Sequence, residues 1–402
     1  MASTLHRLAR IDNLKAVWDA SGDARGRRRA AGLDNVHAED FARNLHDRFV
    51  EIRRELIDGQ YKFSDLRAIA FRKPNSEKYR IICVPTVRDR LVQRVLVKHF
   101  LSKDVDRLGI KNSVSYGFIP GADRGVAGAV KDACKLRSRM PWAFKTDILS
   151  FFDVIDRNVL IDRLRTRVRS KGVQDLLRMA ISCEIGKVDP DTQKKIQTTS
   201  IKAGAGLRQG MPLSPILSNF FLKDFDAYFE QRRQNLVRYA DDLVIFADTR
   251  EECEAYEDVC RNLLGRVDLQ IPDLAYGGKT KIFAPDEPAE FLGFEITRDG
   301  RSKYAPMVPK VAFDELKEKI CAFQSYATIG NKYKRIEDAL AYLNRVVDGY
   351  VNAYHVAENK SDLDSHLKNL RDNSRRKLFE SIFGAGVING LSTEQKEFLS
   401  LV

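Results

Sequence analysis

The chain has 402 residues, of which 44% are hydrophobic and 31% charged, a composition typical of a globular protein with two or three domains. Lys and Arg outnumber Asp and Glu by 68 to 56, and the resulting net charge of +12 favours polyanionic partners. The sequence has neither an apolar run near the ~18 residues that span a bilayer nor a signal peptide's apolar core, so we expect a cytoplasmic protein without a membrane partner.

The cysteines are scattered, and no CxxC pair occurs among them. This spacing predicts reduced intracellular thiols and excludes a zinc site of the usual kind. The six positions are Cys83, Cys134, Cys183, Cys253, Cys260 and Cys321.

Residues 1 to about 65 are predicted to be helical. In "HAEDFARNLHDRFVEIRREL" apolar residues recur at three- and four-residue steps, which places them on one helical face. These residues are Phe41, Leu45, Phe49, Ile52 and Leu56. The basic segment "GDARGRRRAAG" precedes this helix, and it is either a solvated linker or a phosphate contact.

Residues 66 to 85 are predicted to form a β-hairpin, because the turn signal "KPNSEK" separates two apolar runs. Lys73, Lys78 and Arg80 flank this turn, and together they are candidates for binding phosphate. A helix is expected next, in "VRDRLVQRVLVKHFLSKDV".

Between residues 140 and 300 strands and helices alternate in an irregular α+β order. The strand "AFKTDI" brings Asp147 near its end. One interpretation is that Asp147 caps the helix that begins near Asp156. Asp153 and Asp156 already serve as caps for that segment, so a metal-binding role for Asp147 is favoured.

The segment "GLRQGMPLSPILSNFFLKDFDAYF" begins as a Gly- and Pro-containing loop and continues as one helix, with Leu213, Leu217, Phe220 or Phe221, and Tyr228 on a shared face. A glycine loop at a helix start can bring backbone N–H groups close to a nucleotide or a template base. The same pattern is also ordinary strand-to-helix architecture.

Two adjacent carboxylates, Asp241 and Asp242, interrupt the apolar segment "LVRYADDLVIFAD". Burying charge is costly, so the pair lies either in a solvated turn or beside a cation. If the flanking runs are antiparallel strands, the acids lie at the hairpin tip. Paired magnesium ions need carboxylates from different segments, which makes Asp147 the expected third ligand.

From residue 309 onward the chain is predicted to be helical, in "KVAFDELKEKICAF", "RIEDALAYLNRVVDGYVNAYH" and "DLDSHLKNLRDNSRRKLFESIF". These helices combine apolar stripes with many Lys and Arg residues. They either lie along a nucleic-acid duplex or simply form a helical core.

The order of the motifs resembles that of reverse transcriptases. The series is "RIICVPTVRDRLVQRVL", "SYGFIPGADRG", "AFKTDILSFFDVID", "RQGMPLSP", "YADD", "GGKTK" and "FLGFEI". Upstream, "AGLDNVHAEDF" is similar to the N-terminal extension of bacterial group II intron-like enzymes, and "LAYLNRVVDGYVNAY" is similar to their thumb. The resemblance implies an α+β right-hand polymerase fold, with N-terminal extension and fingers in 1–110, a palm with an antiparallel sheet in 111–300, and a helical thumb and tail in 301–402.

The resemblance also implies a set of site residues. Asp147, Asp241 and Asp242 match the catalytic acids, which would hold two Mg²⁺ ions, with Mn²⁺ as an alternative. Phe152 matches the steric gate that selects deoxynucleotides, although it can equally be a core aromatic, and Tyr239 would contact the primer end. The residues that match contacts to the deoxynucleoside triphosphate are Lys73, Lys78, Arg80, Phe152, Gln209, Gly210 and Lys279.

The resemblance further implies an RNA template and a DNA product. Several branches of the family can be excluded, because their characteristic segments are missing from this sequence. Full group II intron proteins continue into a DNA-binding domain, whereas this sequence ends shortly after the thumb. It lacks the NAxxH-like signature and VTG tract of retron enzymes, and it keeps "RQG", unlike diversity-generating enzymes. We therefore expect a stand-alone, defence-associated enzyme with a structured non-coding RNA, and with a partner protein or homo-oligomer as further options.

Three other functions stay open from the sequence. The first is an RNA-templated RNA polymerase, against which Phe152 argues. The second is a DNA polymerase that works without a template or from a protein primer. The third is an RNA-binding, maturase-like protein with a vestigial palm, and the intact acids argue against it.

Overall fold

The structure is a computed structural model that describes residues 4–24, 30–73, 76–103, 105–274, 278–298 and 303–399. The whole basic run "RGRRR" (25–29), Pro74 and Asn75 of the hairpin turn, and Gly277 of "GGKTK" lie outside these ranges. Within the described ranges, no helix is both long enough and apolar enough to cross a bilayer.

The chain divides into two compact units. The first comprises residues 1–129 and 144–282, and the second comprises 130–143 and 283–402. The fingers, palm and thumb expected from the sequence are functional subdivisions, and their boundaries stay a prediction.

Helices make up much of both units. In chain order they are α1 (Thr4–Leu8), α2 (Ile11–Asp19), α3 (Ala38–Ala42), α4 (Leu45–Ile57), α5 (Val87–Leu96), α6 (Val105–Leu108), α7 (Gly125–Arg137), α8 (Phe151–Val154), α9 (Arg157–Arg167), α10 (Lys171–Ile181), α11 (Pro190–Gln197), α12 (Ser214–Phe221), α13 (Lys223–Glu230), α14 (Arg250–Gly265), α15 (Lys310–Cys321), α16 (Tyr326–Ile329), α17 (Ile336–Ala353), α18 (Lys360–Phe383), α19 (Ala385–Asn389) and α20 (Thr393–Phe398). A π-helical turn, Val97–Leu101, continues α5, and a 3₁₀ turn, Ala322–Gln324, continues α15.

The strands form small sheets. They are β1 (Arg67–Arg72), β2 (Tyr79–Val84), β3 (Trp142–Asp147), β4 (Leu236–Tyr239), β5 (Asp242–Ala247), β6 (Lys281–Phe283), β7 (Ala289–Phe291), β8 (Phe294–Arg298) and β9 (Tyr304–Met307). β1 and β2 pair as a hairpin, β4-β5-β3-β6 form a sheet in that order, and β7-β8-β9 form another. The mixture of helices with antiparallel pairs confirms the α+β class.

Several predicted elements are confirmed. The hairpin at 66–85 is present, with Arg72 opposite Tyr79 at its end. The three helices expected after residue 309 correspond to α15, α17 and α18. Asp156 caps α9, because its carboxylate accepts hydrogen bonds from the N–H groups of Asn158 and Val159.

Some predicted elements are broken where the sequence suggested continuity. The helix expected around Phe41 and Phe49 is interrupted at Asn44, whose φ and ψ of −125° and 45° are not helical. Asn favours such positions because its side chain competes for backbone hydrogen bonds. The helix after "RQGMPLSP" ends at Leu222, where α13 takes over. Asp153, expected to be a cap, lies inside α8.

An apolar cluster packs the β1–β2 hairpin against the rest of the first unit. It consists of Leu66, Ile81, Cys83, Cys183, Ile196 and Met211. Met211 belongs to the "RQGMP" loop, and the backbone N–H of Cys83 donates to the carbonyl oxygen of Gln209 at 2.7 Å. Hydrophobic burial and this hydrogen bond therefore hold the loop against β2.

In the second unit, one buried arginine ties together loops and a strand. Arg137, at the end of α7, is 0% exposed, and its guanidinium lies 4.6 Å from the ring centroid of Tyr304. It donates hydrogen bonds to the carbonyl oxygens of Pro141, Ala284, Glu287 and Ile296. Burial lowers the pKa of this guanidinium, which is the expected effect of removing a charge from water.

We predict that Arg137→Lys destabilises the protein by about 2–4 kcal/mol, because an ammonium cannot reach all four carbonyl oxygens and buried acceptors lose their partners. Urea denaturation would measure the loss. The matched control is Arg298→Lys, an exposed arginine over the same Tyr304 ring, whose effect should stay within about 0.5 kcal/mol. Equal stability of Arg137→Lys and the parent would contradict the prediction.

Candidate active site

The two adjacent carboxylates lie at the tip of a tight hairpin, as the sequence predicts. β4 and β5 pair antiparallel with Tyr239 opposite Asp242, so Ala240 and Asp241 form a two-residue loop. Ala240 has a φ of 55°. Loops of this length commonly need positive φ to match the twist of the strands. Asp241 is thereby placed in the loop itself, and Asp242 begins β5.

Asp147 reaches the same end of the sheet from the neighbouring strand. β3 is adjacent to β5, and the N–H of Ile148 donates to the carbonyl oxygen of Asp241 at 3.1 Å. One oxygen of Asp147, Oδ2, pairs with the Nζ of Lys279. The structure thus brings Asp147, Asp241 and Lys279 together.

The other oxygen of Asp147 is left without a partner. Its Oδ1 is buried and accepts no hydrogen bond from any described residue. A buried carboxylate oxygen without a donor is costly unless a cation satisfies it. This oxygen therefore marks a position where positive charge is favoured.

Electrostatics at the tip are dominated by burial. Burial raises the pKa of Asp241, the negative charge of Asp147 raises it further, and Lys279 and Arg80 oppose the rise. Burial also raises the pKa of Asp242, against the attraction of Lys145. The carboxylates thus repel one another in a partly dehydrated place, and a bound cation would relieve that repulsion.

The acidic side chains are suitable ligands for a metal ion, but they are not already arranged around a metal position. Within the described residues, no group of three or more His, Cys, Asp or Glu side chains is arranged to hold a metal ion. The ammonium of Lys279 instead lies against Asp147, while 69% of its side chain is exposed. The donor set suits a hard divalent cation, because carboxylate oxygens are the ligands such ions prefer.

A buried ion pair behind the hairpin fixes its position. Arg238, on β4, is 0% exposed and donates through Nε and Nη2 to both carboxylate oxygens of Asp226, at 2.6 and 2.5 Å. Its Nη1 donates to Asn219 Oδ1 and to the carbonyl oxygen of Ala240, each at 3.0 Å. The guanidinium therefore holds the residue that immediately precedes Asp241.

The basic residues expected in the fingers fall into two groups. Burial raises the pKa of Asp241 and of Asp153, and the positive charges of Arg80 near Asp241 and of Lys73 near Asp153 oppose that rise. Lys78 lies at the hairpin turn, where its carbonyl oxygen accepts from the N–H of Lys73 at 2.9 Å. The structure thus relates Arg80 and Lys73, but not Lys78, to the acidic side of the site.

Phe151 and Phe152 differ in their exposure to solvent. Phe151 is 1% exposed and packs in the core, whereas Phe152 is half-buried. The carbonyl oxygen of Phe152 accepts from the N–H of Leu207 at 2.6 Å. The segment after Asp147 is therefore tied to the loop that carries Gln209.

Gly210 is required by the close approach of this loop to β2. Its φ is 103°, and an added Cβ would lie 2.6 Å from the carbonyl oxygen of Cys83. Any other residue would be strained there and would push the strand away. Gln209 and Gly210 thus lie between Phe152 and the β1–β2 hairpin.

A second polar cluster holds the beginning of the same loop. Glu184 accepts from Arg157 and Arg208, and its Oε1 also accepts from the N–H of Gly204 at 2.9 Å. Burial opposes ionisation of Glu184, but these hydrogen bonds outweigh it and lower its pKa. The loop is therefore anchored by charge at one end and by the apolar cluster at the other.

Sequence reasoning missed two sets of residues. Asp226, Asn219 and Arg238 form the buried support, and an arginine inside the apolar run "LVRYA" was the available signal, since buried charge needs a partner. The second is Phe118, which is 46% exposed and lies 5.8 Å, ring centroid to ring centroid, from Tyr239.

Comparison with known families identifies the region that contains these residues. The family model described as "Reverse transcriptase (RNA-dependent DNA polymerase)" matches residues 71–296, more than half of the chain. The matched range includes the acids, the glycine loop and Lys279.

Curated relatives extend the similarity. Protein YkfC of Escherichia coli (strain K12) is 27% identical over 318 residues, covering 69% of this chain and 78% of YkfC. The group II intron-encoded protein LtrA of Lactococcus lactis subsp. cremoris is 25% identical over 346 residues, covering 69% of this chain and 54% of LtrA. This chain therefore spans about half the length of LtrA.

Among solved structures, the telomerase of Candida albicans in complex with a TWJ fragment of telomeric RNA aligns with 86% of this chain and 67% of that chain. The TM-score is 0.45 and the sequence identity 13%.

We predict that Asp241→Asn raises the melting temperature in chelator at pH 7 by roughly 1–3 °C. The native state holds the Asp241 proton more tightly than the unfolded chain does. The stabilisation that comes from protonated Asp241 is therefore fully present below the ordinary carboxyl pKa, and it is lost as pH rises through the raised pKa of Asp241 in the native state. The gain from Asn should accordingly disappear toward pH 4. Thermal unfolding at both pH values measures it.

The matched control is Asp348→Asn, an exposed carboxylate within α17, which should leave the melting temperature unchanged at both pH values. A lower melting temperature for Asp241→Asn at pH 7 would contradict the unfavourable electrostatics described here.

Proposed function

This chain belongs to the reverse transcriptase family of RNA-directed DNA polymerases, and we propose that Asp147, Asp241 and Asp242 are its catalytic carboxylates. The observation that carries this assignment is their meeting at one end of the β4-β5-β3 sheet, inside the matched range. The buried, unpartnered Oδ1 of Asp147 supports it further. The polymer substrates are an RNA template and the DNA made on it.

Divalent metal dependence follows from the family, and we infer Mg²⁺, with Mn²⁺ as an alternative. Asp147 and Asp241 would be the ligands, and Asp242 would support them from β5. Once bound, two such ions supply the charge that activates the primer 3′-hydroxyl and stabilises the leaving pyrophosphate. Lys279, now paired with Asp147, would then be released toward the phosphates.

The residues around the acids suit a nucleoside triphosphate. Arg80 and Lys73 are exposed cations, of which Arg80 lies near Asp241 and Lys73 near Asp153, and charge-assisted hydrogen bonds to phosphate are strong. Lys78 would reach the same phosphates only from the turn. Gln209 and Gly210 would line the pocket, because the loop that carries them is held beside Phe152.

We assign the N-terminal extension and fingers to 1–110, the palm with the remaining fingers segments to 111–300, and the helical thumb and C-terminal tail to 301–402. The net charge of +12 supports binding to duplex or structured RNA, recognised largely through phosphates and A-form shape. The six cysteines, all among the described residues, are unpaired thiols, which supports a cytoplasmic location.

We predict that Phe152→Ala weakens the preference for deoxynucleotides over ribonucleotides by roughly 10- to 100-fold, because it removes the ring that would occupy the space of a 2′-hydroxyl. Single-nucleotide incorporation with dNTP and the matching rNTP measures the ratio of kcat/KM values. Phe151→Leu is the control: it trims the buried neighbour and should lower stability without changing this ratio. An unchanged ratio in Phe152→Ala would remove the steric gate from the proposal.

We also propose that the enzyme acts in defence against phage together with a companion non-coding RNA, with or without a partner protein. The support is the motif pattern, which lacks the signatures of retron and diversity-generating enzymes, together with the similarity to group II intron-encoded proteins. Catalysis would then be required for protection.

The expected outcome is that bacteria carrying the native locus give at least about tenfold fewer phage plaques than those carrying Asp241→Asn at the same protein level. Deleting the flanking non-coding sequence should abolish protection in the same way. Equal plating on all three strains would contradict the defence role and leave the polymerase assignment intact.

A further inference from the structure

We propose that Phe118 and Tyr239 together form the surface that receives the terminal base pair of the primer–template duplex. This inference rests on the polymerase function proposed above and assigns a role to Phe118 that the motif pattern did not predict. The occupant is the last base pair and its sugars, since Tyr239 directly precedes the loop that carries Asp241 and the ring of Phe118 lies beside that of Tyr239.

The rings of Phe118 and Tyr239 lie next to each other, near the tip of the β4–β5 hairpin. Tyr239 is the last residue of β4 and directly precedes the loop that carries Asp241. The ring of Phe118 is 5.8 Å from that of Tyr239, inclined by 52°, and 46% of Phe118 is exposed. An aromatic surface is therefore presented to solvent next to the carboxylates.

The backbone of Phe118 has an unfavourable conformation. Its φ is 60°, in the left-handed region that bulky residues rarely adopt. Such strain persists only where the surroundings fix it, and it concentrates at functional positions. Gly or Asn would fit this conformation without strain, yet the chain presents a large ring there.

The surroundings do fix the segment before Phe118. The N–H of Tyr116 donates to the carbonyl oxygen of Arg238 at 2.9 Å, and the N–H of Arg238 donates to that of Val114 at 2.8 Å. The carbonyl oxygen of Gly117 accepts from Asn219 Nδ2 at 2.7 Å. This segment is thus hydrogen-bonded along β4 by the same residues that position the hairpin.

Close packing leaves little freedom between this segment and the catalytic loop. A Cβ added at Gly117 would lie 3.0 Å from the backbone nitrogen of Ala240. Phe118 and Asp241 are therefore placed by one rigid arrangement. A base pair resting on the two rings would be located relative to the carboxylates, which is the requirement for positioning a primer end.

The chemistry of the surface suits a nucleic-acid end. Every base has a π-face, so stacking on aromatic side chains is tolerant of sequence, as a polymerase requires. Phe118 adds area without a hydrogen-bonding group. It therefore contributes to affinity for the duplex end without selecting a base.

The test separates duplex binding from chemistry. We expect Phe118→Ala to raise the KM for an RNA-template/DNA-primer duplex about tenfold, while kcat at saturating duplex and the KM for dNTP change less than threefold. Phe118→Tyr should restore the parent KM for the duplex within twofold. Phe383→Ala is the matched control, because Phe383 is 54% exposed and lies in α18, and its KM should stay at the parent value.

A stability measurement distinguishes binding from packing. Phe118→Asn should lose duplex affinity as Phe118→Ala does, yet melt at or above the parent temperature, because Asn tolerates the positive φ. A duplex KM of Phe118→Ala within twofold of the parent would overturn the proposal. So would equal losses in Phe383→Ala, or a melting temperature of Phe118→Asn well below the parent's.

The parent enzyme distinguishes this proposal from the polymerase assignment. If the parent extends primers normally while Phe118→Ala is unaffected, the role of Phe118 alone fails. If the parent extends no primer on any RNA template, the polymerase assignment fails, and the role of Phe118 is overturned with it.

Discussion

The arrangement of the site depends on one buried ion pair, Arg238–Asp226. Both side chains are essentially inaccessible to water, so each charge relies on the other and on neighbouring amide and carbonyl groups. The guanidinium also binds the carbonyl oxygen of Ala240 and the side chain of Asn219, which in turn holds Gly117. Bidentate geometry makes this pair directional, so it fixes orientation as well as distance. The β4–β5 hairpin that carries Asp241 and the Phe118 segment therefore share one support.

The placement of the acidic residues is unfavourable for the stability of the folded protein. Asp147, at the end of β3, and Asp241, in the β4–β5 loop, meet in a partly dehydrated place, and a buried oxygen of Asp147 lacks a donor. Natural proteins break local rules of this kind at functional sites and compensate elsewhere. Here the compensation lies in the buried ion pair behind the β4–β5 hairpin and in the apolar cluster that holds the β1–β2 hairpin.

The sequence predicted those parts that rest on local patterns. The β1–β2 hairpin, the "YADD" tip and the helices after residue 309 follow from alternation, turn residues and helical periodicity. The break at Leu222 was not predictable, because no Gly or Pro marks it and the residue is buried. The links from Asn219 to Gly117 and from Glu184 to Arg208 join distant positions through tertiary packing. Phe118 could not be singled out either, because the spacing of residues predicts neither its exposure nor its positive φ.

RNA-directed synthesis is tested most directly by single-nucleotide incorporation by the purified protein on four RNA templates that differ only in the base opposite the next position. We expect that, on each template, the complementary deoxynucleotide is added at least about 100-fold faster than the other three. Addition of the same nucleotides on all four templates, or equal addition without any template, would contradict RNA-directed synthesis and would instead indicate a polymerase that extends without reading RNA.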